Sequence, residues 1–189
     1  EAGIDHEGGD HTSRVLDADF LVISPGVSSS SPVVDTARRR GIPVYSELEA
    51  ASWFCNVPIL AVTGSNGKTT TTTLLGHILR AAGKQVHVAG NFGIAFSAIV
   101  DEAVHDDFIV LEVSSFQLDH ISTFRPAVSL LLNITPDHLD RYDDDLQLYA
   151  QSKYRIAENQ REGDYVVFNA DDPLVAAGIP RQPTQNPPE

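Results

Sequence analysis

Short apolar runs alternate with helix-like segments along most of the chain. The runs lie at 20–23, 42–45, 58–63, 86–88, 108–111, 127–132 and 165–168, and helical spacing or composition marks 32–40, 46–54, 68–82 and 146–160. Successive parallel strands need a crossover, and a helix usually supplies it, so this rhythm predicts an α/β fold with a mainly parallel central sheet. The continuous apolar run at 108–111 is typical of a strand covered on both faces.

Several residues predict where the helices begin and end. Ser31 before Pro32 predicts an N-cap followed by proline at the first helical position, and that helix is expected to end at Gly41. The helix that follows Lys68 is expected to end before Gly83, which suits a left-handed C′ position. Its buried stripe is predicted to consist of Leu74, Leu75, Ile78 and Leu79.

The chain is long enough for one large domain or two small ones. A boundary is predicted near residues 55–58, where a helical pattern ends and the apolar run at 58–63 begins. The last ten residues hold four prolines and no apolar pattern, which predicts an irregular tail. Because the chain begins at Glu1 and contains no methionine, we expect it to be a fragment or a processed piece of a longer protein.

Composition and charge exclude some classes of partner. The formal net charge of −13 disfavours nonspecific binding to nucleic acid or to an acidic membrane, since such proteins present a basic face. No apolar run approaches the roughly 20 residues that span a bilayer. If the partner is a phosphate compound, Lys68, backbone amides and bound cations must make the electrostatic potential positive at the site, against the negative charge of the whole chain. The single cysteine, Cys55, cannot form an internal disulfide.

The clearest chemical motif is TGSNGKT at residues 63–69, between an apolar run and a helical pattern. Its small residues allow backbone N–H groups to converge on an anion, the helix presents its positive end, and Lys68 adds a mobile charge. Thr69 offers a hydroxyl to magnesium. The standard P-loop needs glycine where this chain has Val62, so the match is to a shorter variant. We therefore predict that this segment is a nucleotide-phosphate site and not simply a turn.

Polar residues follow the other predicted strands. Ser24, Pro25 and Gly26 come after the first one, at the rim where parallel sheets bind ligands, although a plain strand-to-helix turn is an equally good interpretation. Asn91, between two glycines, offers an amide to a ligand. Glu112 ends the run at 108–111, where a carboxylate is a predicted magnesium ligand.

Two further segments carry candidate chemistry. Ser114, Ser115 and Gln117 place hydroxyls and an amide on the same rim, suited to binding a polar substrate or orienting Glu112, and Ser114 alternatively serves as an N-cap. His138 lies in TPDHLDRY at 135–142, directly after a predicted core strand. A neutral imidazole there is a candidate metal ligand whose ring Asp137 would orient.

Together these motifs resemble the Mur ligases of peptidoglycan synthesis. The matching segments are TGSNGKT at 63–69, GNFG at 90–93, EVSSFQL at 112–118, NITPDHLDR at 133–141, and the lysine at Lys153. SSFQL is the most discriminating segment and is similar to the branch of the family that adds D-glutamate. The resemblance covers about residues 20–175 in the expected order.

The resemblance implies a three-domain, ATP-dependent carboxylate-amine ligase of the bacterial cytoplasm. Residues 1–55 would be the later part of its Rossmann-like UDP-binding domain, and residues 56–189 its P-loop-type ATPase domain. The resemblance implies that D-glutamate is added to UDP-N-acetylmuramoyl-L-alanine through an acyl phosphate. It also implies ATP and two Mg²⁺ ions as cofactors, a monomeric state, and no nucleic-acid or membrane partner. The C-terminal amino-acid-binding domain would be absent from this chain, which alone would then be inactive.

The resemblance also implies roles for particular residues. Lys68 and the segment Gly64, Ser65, Asn66, Gly67, Lys68, Thr69 and Thr70 would hold the ATP phosphates, and Thr69 and Glu112 would hold one magnesium. His138 would bind the second, with Asn91, Ser114, Ser115 and Gln117 on the substrate side. Lys153 would be carbamylated to support that second metal. Carbamylation needs a neutral amine, so either burial must lower the pKa of Lys153 or the metals must trap the product.

Two other functions are compatible with the sequence. One is a folylpolyglutamate synthase-like ligase, which shares the phosphate loop but is disfavoured by SSFQL and DHLDR. The other is a nucleotide-binding module without activity of its own.

Overall fold

The computed structural model describes residues 5, 7, 8 and 12–179, and it confirms the α/β fold with a mainly parallel central sheet. The predicted tail at 180–189 lies outside the described residues. The strands are β1 Leu21–Ile23, β2 Val44–Ser46, β3 Ile59–Thr63, β4 Val86–Gly90, β5 Phe108–Glu112, β6 Val128–Leu131 and β7 Tyr165–Phe168. The helices are α1 Pro32–Arg39, α2 Glu47–Ser52, α3 Lys68–Ala81, α4 Ser115–Leu118, α5 Leu146–Tyr154 and α6 Pro173–Gly178.

The first part of the chain forms a two-stranded parallel sheet, β1–β2, with α1 as its crossover. As predicted, Ser31 occupies the N-cap of α1 and Pro32 is its first helical residue. The chain leaves α1 through Gly41, whose φ of 73° lies in the left-handed region. Helix α2 begins directly after β2, where the Ser46 side chain accepts a hydrogen bond from the N–H of Glu49.

The second part forms a five-stranded, all-parallel sheet in the order β4-β5-β3-β6-β7. Strand β3 lies at its centre, with Leu60 opposite Val110 on one side and Val128 on the other. All five residues of β3 are buried, which agrees with an apolar run covered on both faces. The carboxyl ends of β3, β4, β5 and β6 therefore meet at one edge of this sheet.

Helices and apolar side chains cover both faces of the sheet. On one face, Leu75 and Leu79 of α3 pack against Leu60, Val86 and Val110. The other face is covered around β3 and β5 by α2, α4 and buried residues of the 96–100 and 118–124 segments, and around β6 by α5 and α6.

The predicted buried stripe of α3 is wrong in two of its four positions. Leu74 and Ile78 are 55% and 53% exposed, whereas Thr72 and Gly76 are buried. A side chain at Gly76 would meet Val88, since a Cβ there would lie 2.6 Å from the Val88 Cγ2 atom. The face that packs on β4 is therefore set by a small residue that allows close approach, and apolarity alone did not identify it.

Two other helix predictions can be compared with the structure. Gly83 follows the last turn of α3 with φ of 78°, and the N–H of Lys84 donates to the carbonyl of Leu79, so the predicted left-handed C-terminal turn is confirmed. The helix predicted at 146–160 is shorter, because α5 ends at Tyr154 and a 3₁₀ turn, Arg155–Ala157, follows.

The buried carboxylate of Glu49 joins the two sheets. This side chain of α2 accepts hydrogen bonds from the N–H groups of Ser122, Thr123 and Phe124 and from the indole N–H of Trp53. Burial raises the pKa of Glu49, but these hydrogen bonds outweigh it and hold the pKa below its ordinary value. The turn before β6 is therefore anchored on α2.

No helix in the part of the chain that the structure describes is long and apolar enough to cross a bilayer.

Candidate active site

The TGSNGKT segment joins the carboxyl end of β3 to the first turn of α3. Gly67 is the N-cap of α3 and has φ of 84°, a left-handed conformation that favours glycine. The N–H groups of Gly67, Lys68, Thr69 and Thr70 have no hydrogen-bond acceptor within the described residues. Together with the positive end of a fourteen-residue helix, they form a cradle suited to an anion.

The other half of the loop is already paired. The N–H of Ser65 donates to the carbonyl of Asn133, and the N–H of Asn66 donates to the Asn133 side chain at 2.8 Å. The Asn133 amide in turn donates to the Asn66 carbonyl at 3.0 Å. The amides of Ser65 and Asn66, which were both predicted to hold phosphate, are thus occupied by the segment after β6 in this structure.

This bracing of the loop is the part of the site that the sequence interpretation missed. The Ser65 hydroxyl donates to the carbonyl of Thr135 and accepts from its N–H, both at 2.9 Å, and lies 3.2 Å from the Tyr149 hydroxyl. The available signal was the polar residue Asn133 at the end of a core strand. Its partner could not be known before the strand order placed β6 beside β3.

Lys68 folds back over the loop. Its Nζ donates to the carbonyl oxygens of Gly64 at 2.9 Å and Ser65 at 3.0 Å. A phosphate group bound at the start of α3 would offer this cation a stronger, charged acceptor.

Glu112 lies at the end of β5, next to the start of α3. Its Oε2 accepts from the Thr69 hydroxyl at 2.7 Å, and its Oε1 accepts from the Asn91 amide at 3.3 Å. Gly90 makes this arrangement possible, because a Cβ there would lie 2.2 Å from the Glu112 carbonyl oxygen. A hydroxyl and a carboxylate beside a phosphate cradle are oxygen ligands of the kind that Mg²⁺ prefers, so these residues fit the predicted first magnesium.

Lys153 of α5 is buried beneath the phosphate loop, with 1% of its surface exposed. Its Nζ donates to the Gly64 carbonyl at 3.0 Å and lies 4.4 Å from the centre of the Tyr149 ring. Burial, and then the charge of Lys68, lower the pKa of Lys153 to about 7. A substantial fraction of the amine is therefore neutral near neutral pH, which is the form that carbamylation needs.

His138 lies on the loop after β6 in a left-handed conformation, with φ of 50° and 62% of its side chain exposed. Its Nε2 is 3.7 Å from the Asp137 carboxylate, which is too long for a hydrogen bond, so the predicted orientation of the ring by Asp137 is not present. The ring instead packs edge-on against Phe116, with 5.5 Å between centroids. Within the described ranges no cluster of three His, Cys, Asp or Glu residues could hold a metal by itself.

Ser114, Ser115 and Gln117 are buried at the start of α4. Ser114 is the N-cap, and its backbone and side chain form a capping box with Gln117, which confirms the structural alternative for Ser114. These residues therefore do not orient Glu112, which is held by Thr69 and Asn91. The Nε2 atom of Gln117 has no partner among the residues that the structure describes, so it remains a donor for a ligand.

The rim residues Ser24, Pro25 and Gly26 follow β1 in the two-stranded sheet. The N–H of Val27 donates to the Ser24 carbonyl and closes a turn. The Pro25 carbonyl accepts a hydrogen bond from Arg141, in the same loop as His138. The structure thus connects this rim to the five-stranded sheet.

A parallel sheet with a glycine-containing anion cradle after its central strand, and a carboxylate at the end of the next strand, defines a nucleotide-phosphate-binding α/β domain of the P-loop type. A model of the Mur ligase middle domain matches residues 62–186. The chain belongs to the Mur ligase family.

Curated relatives support the same family. The chain is 60% identical over 177 residues to UDP-N-acetylmuramoylalanine--D-glutamate ligase of Salinibacter ruber (strain DSM 13855 / M31), and 49% identical over 177 residues to the enzyme of that name from Chloroherpeton thalassium (strain ATCC 35110 / GB-78). The matches cover 91% and 92% of this chain, and the chain spans 38% of the length of each relative.

Solved structures show the same fold. The ligase for UDP-N-acetylmuramate and L-alanyl-gamma-D-glutamyl-meso-diaminopimelate from Neisseria meningitides superposes with a TM-score of 0.58 at 22% identity, over 86% of this chain and 55% of that one. MurF of Thermotoga maritima, solved with ADP, superposes with a TM-score of 0.54 at 20% identity, over 84% and 45% of the two chains.

Proposed function

We propose that this chain is the nucleotide-binding part of an ATP-dependent ligase that joins D-glutamate to UDP-N-acetylmuramoyl-L-alanine. Curated relatives that carry the corresponding name are 44–60% identical to it and cover 91–97% of its length. The site supplies the independent physical support. The observation that carries the proposal is the Thr69–Glu112 hydrogen bond of 2.7 Å. It places a carboxylate beside the first turn of α3, where the backbone N–H groups have no acceptor within the described residues and Lys68 supplies a positive charge.

In this proposal the phosphates of ATP lie at the start of α3. The free N–H groups from Gly67 to Thr70 would hold the phosphate oxygens, and Lys68 would exchange the two loop carbonyls for the β- and γ-phosphates. Ser65 and Asn66 would act through the shape of the loop, which Asn133 braces. Positioning and neutralisation of charge are the main requirements of phosphoryl transfer.

The donor set also indicates where cations would bind. Thr69 and Glu112 would hold one magnesium, with Asn91 keeping the carboxylate in place. His138 and a carbamylated Lys153 would hold a second one beside the substrate carboxylate. When bound, magnesium neutralises charge on the phosphates and on that carboxylate.

The reaction joins two anionic substrates. The carboxylate of UDP-N-acetylmuramoyl-L-alanine would attack the γ-phosphorus, breaking the bond to ADP and giving an acyl phosphate. The amine of D-glutamate would then attack the acyl carbon, release phosphate and lose a proton. The free Nε2 of Gln117, with Asn91, Ser114 and Ser115, would line the substrate side.

The domain division is also a proposal. We place the end of the UDP-binding part at residue 55 and the ATPase part at 56–189, with Ser24, Pro25 and Gly26 contacting the nucleotide sugar. A bacterial cytoplasmic location and a monomeric state remain predictions. D-glutamate recognition would require a further domain.

The test is an amino-acid panel with the full-length protein, in which ADP release is measured with UDP-N-acetylmuramoyl-L-alanine and ATP. We expect turnover only with D-glutamate, and a loss of about a hundredfold or more in Lys68→Ala, because a charged phosphate contact is removed. Lys84→Ala is the matched control, since Lys84 lies away from the loop against Phe108. Turnover with meso-diaminopimelate and none with D-glutamate would overturn the assignment.

The folylpolyglutamate synthase-like alternative is less supported, because the curated relatives at 44–60% identity all carry the D-glutamate ligase name. A folate substrate in the same assay would distinguish the two ligases. The remaining alternative is a nucleotide-binding module without activity. It predicts magnesium-dependent binding of an ATP analogue with no amide product for any amino acid.

A further inference from the structure

The loop at residues 24–31, between β1 and α1, carries the rim residues but is held by the five-stranded part of the chain. We call it the rim loop. Its internal hydrogen bonds are short-range turns, from the N–H of Val27 to the Ser24 carbonyl and from the N–H of Ser31 to the Ser28 carbonyl. Such turns shape the loop locally but do not fix its position relative to the phosphate loop. Arg38 of α1 also donates to the Ser29 carbonyl at 2.9 Å, but α1 belongs to the same two-stranded part as the loop. The position relative to the phosphate loop therefore depends on contacts with the five-stranded part.

The first such contact is made by Arg141. Its Nη1 donates to the Pro25 carbonyl at 3.2 Å, and its guanidinium carbon lies 4.0 Å from the centre of the Phe116 ring. Stacking on an aromatic ring restricts the guanidinium plane and lowers the entropic cost of the hydrogen bond. Because Arg141 follows His138 by three residues, the same short turn contacts both the rim loop and the predicted metal side of the site.

The second contact is made by His120, which is 5% exposed. Its Nε2 is 2.8 Å from the Ser29 hydroxyl, and its Nδ1 is 3.4 Å from the Val44 carbonyl. A carbonyl only accepts, so Nδ1 carries the proton and the Ser29 hydroxyl donates to Nε2. Burial, and then the charge of Arg38, lower the pKa of His120, which favours this neutral form.

The two contacts converge on one short segment of the chain, residues 116–120. Phe116, under Arg141, lies within α4, and His120 follows its last residue by two positions. Gln117, with its free amide nitrogen, lies between them. A single short segment with a capped start thus connects the rim loop to the proposed substrate side of the phosphate site.

We propose that Arg141 and His120 are positioning residues that hold the rim loop at the distance from the phosphate site that the nucleotide-sugar substrate spans. This inference rests on the proposed function, because it takes Ser24, Pro25 and Gly26 of the rim loop to contact that substrate. Neither residue needs to touch the substrate. Each acts through a loop atom, the Pro25 carbonyl or the Ser29 hydroxyl.

The experiment measures KM for UDP-N-acetylmuramoyl-L-alanine and for ATP in the full-length protein. Ser29→Ala removes the donor to His120, and Ser30→Ala is its control, since the Ser30 hydroxyl pairs only with Ser28 inside the loop. Arg141→Lys keeps the charge but loses the planar stack on Phe116. Its control is Arg39→Lys, at an exposed position of α1. His120→Gln retains a polar group at the Nε2 position, whereas His120→Asn retains one only at the Nδ1 position.

We expect Ser29→Ala, Arg141→Lys and His120→Asn each to raise KM for the nucleotide sugar about three- to tenfold, the effect of losing one hydrogen bond. KM for ATP should stay within about twofold, as for a loop remote from the phosphate cradle. His120→Gln and both controls should resemble the wild type. A merely structural loss of stability would instead lower kcat and affect both substrates.

Two results would contradict the inference in different ways. If the wild type turns over normally and Ser29→Ala matches Ser30→Ala in both KM values, the rim loop is not positioned by His120. Likewise, if Arg141→Lys matches Arg39→Lys in both KM values, the loop is not positioned by Arg141. If the wild type shows no turnover with the nucleotide sugar, the proposed function fails and the substrate role of the loop fails with it. Amide hydrogen exchange at 26–31 would then show whether the contacts hold the loop at all.

Discussion

Lys68 and Lys153 donate hydrogen bonds to the same acceptor, the carbonyl oxygen of Gly64, at 2.9 and 3.0 Å. Two lysines that share one carbonyl repel each other when both are charged. The proximity of Lys68 is accordingly the second cause, after burial, of the lowered pKa of Lys153. The lysine proposed to bind phosphate and the lysine proposed to be carbamylated are thus electrostatically coupled in the unliganded protein.

The lowered pKa of Lys153 predicts a characteristic pH dependence of stability. The folded amine loses its proton near pH 7, whereas the unfolded amine keeps it until near pH 10.5, so the unfolded state binds more protons in between. The free energy of unfolding therefore rises with pH across this window, by up to about 1.4 kcal/mol per pH unit. Denaturant unfolding at several pH values should show the free energy of unfolding rising with pH more steeply in the wild type than in Lys153→Met. Lys84→Met should follow the same pH dependence as the wild type. Parallel curves for wild type and Lys153→Met would contradict the shift.

Gly90→Ala should destabilise the protein and displace Glu112. The new Cβ would lie 2.2 Å from the Glu112 carbonyl oxygen at φ of 118°, so the strand ends must separate. We expect a loss of about 3 kcal/mol or more in urea unfolding. Gly93→Ala is the control, because that glycine also has positive φ but no atom within 4 Å of the added carbon, and it should cost only about 1 kcal/mol. Equal losses would show that backbone conformation, and not the contact with Glu112, decides.

Asn133→Ala should weaken nucleotide binding, although the proposal gives the Asn133 side chain no contact with the nucleotide. The substitution removes both hydrogen bonds to the Asn66 backbone and leaves the phosphate loop less ordered. Titration calorimetry with a nonhydrolysable ATP analogue and magnesium should give an affinity lower by about tenfold. Asn169→Ala removes a similar local amide contact at the end of β7 and should bind normally. Unchanged affinity in Asn133→Ala would show that the loop does not need this brace.

Glu49→Gln should cost about 3 kcal/mol of stability, because the NH₂ group that replaces one carboxylate oxygen cannot accept the hydrogen bonds which that oxygen receives from residues 122–124. The lowered pKa of Glu49 stabilises the fold above its unfolded value of 4.5, and this contribution is lost as pH falls. The stability difference between the two proteins should therefore shrink in acid. Exposed Glu102→Gln should match the wild type throughout, and a constant difference would mean that ionisation of Glu49 is irrelevant.

Strand positions and helix ends were predictable because they depend on local signals. The apolar runs located the strands, and Ser31, Pro32 and Gly83 marked helix ends through capping and backbone conformation, which neighbouring residues largely decide. The buried side of α3 was predicted only in part, since the need for a glycine opposite Val88 arises from the distance between helix and sheet.

Within the site, individual residues were easier to predict than their partners. Lys68, Glu112 and Lys153 were selected from motif and resemblance. In the structure, Lys68 and Lys153 donate hydrogen bonds to the same carbonyl, and Glu112 accepts one from Thr69. Asn133 and Arg141 contact residues far away in sequence, Asn66 and Pro25. These partners depend on strand order and on the placement of the first sheet. Such long-range pairings have no signature in a single sequence.

The central position of β3 has a consequence for the order of folding. Leu60 pairs with Val110 and Val128, so β3 is synthesised well before either of its neighbours. Closing such long loops is slow compared with forming a hairpin or a helix. The phosphate loop, which is braced by the segment after β6, therefore acquires its final shape only late in folding. A nucleotide that binds at this loop, as proposed, would then select completely folded molecules.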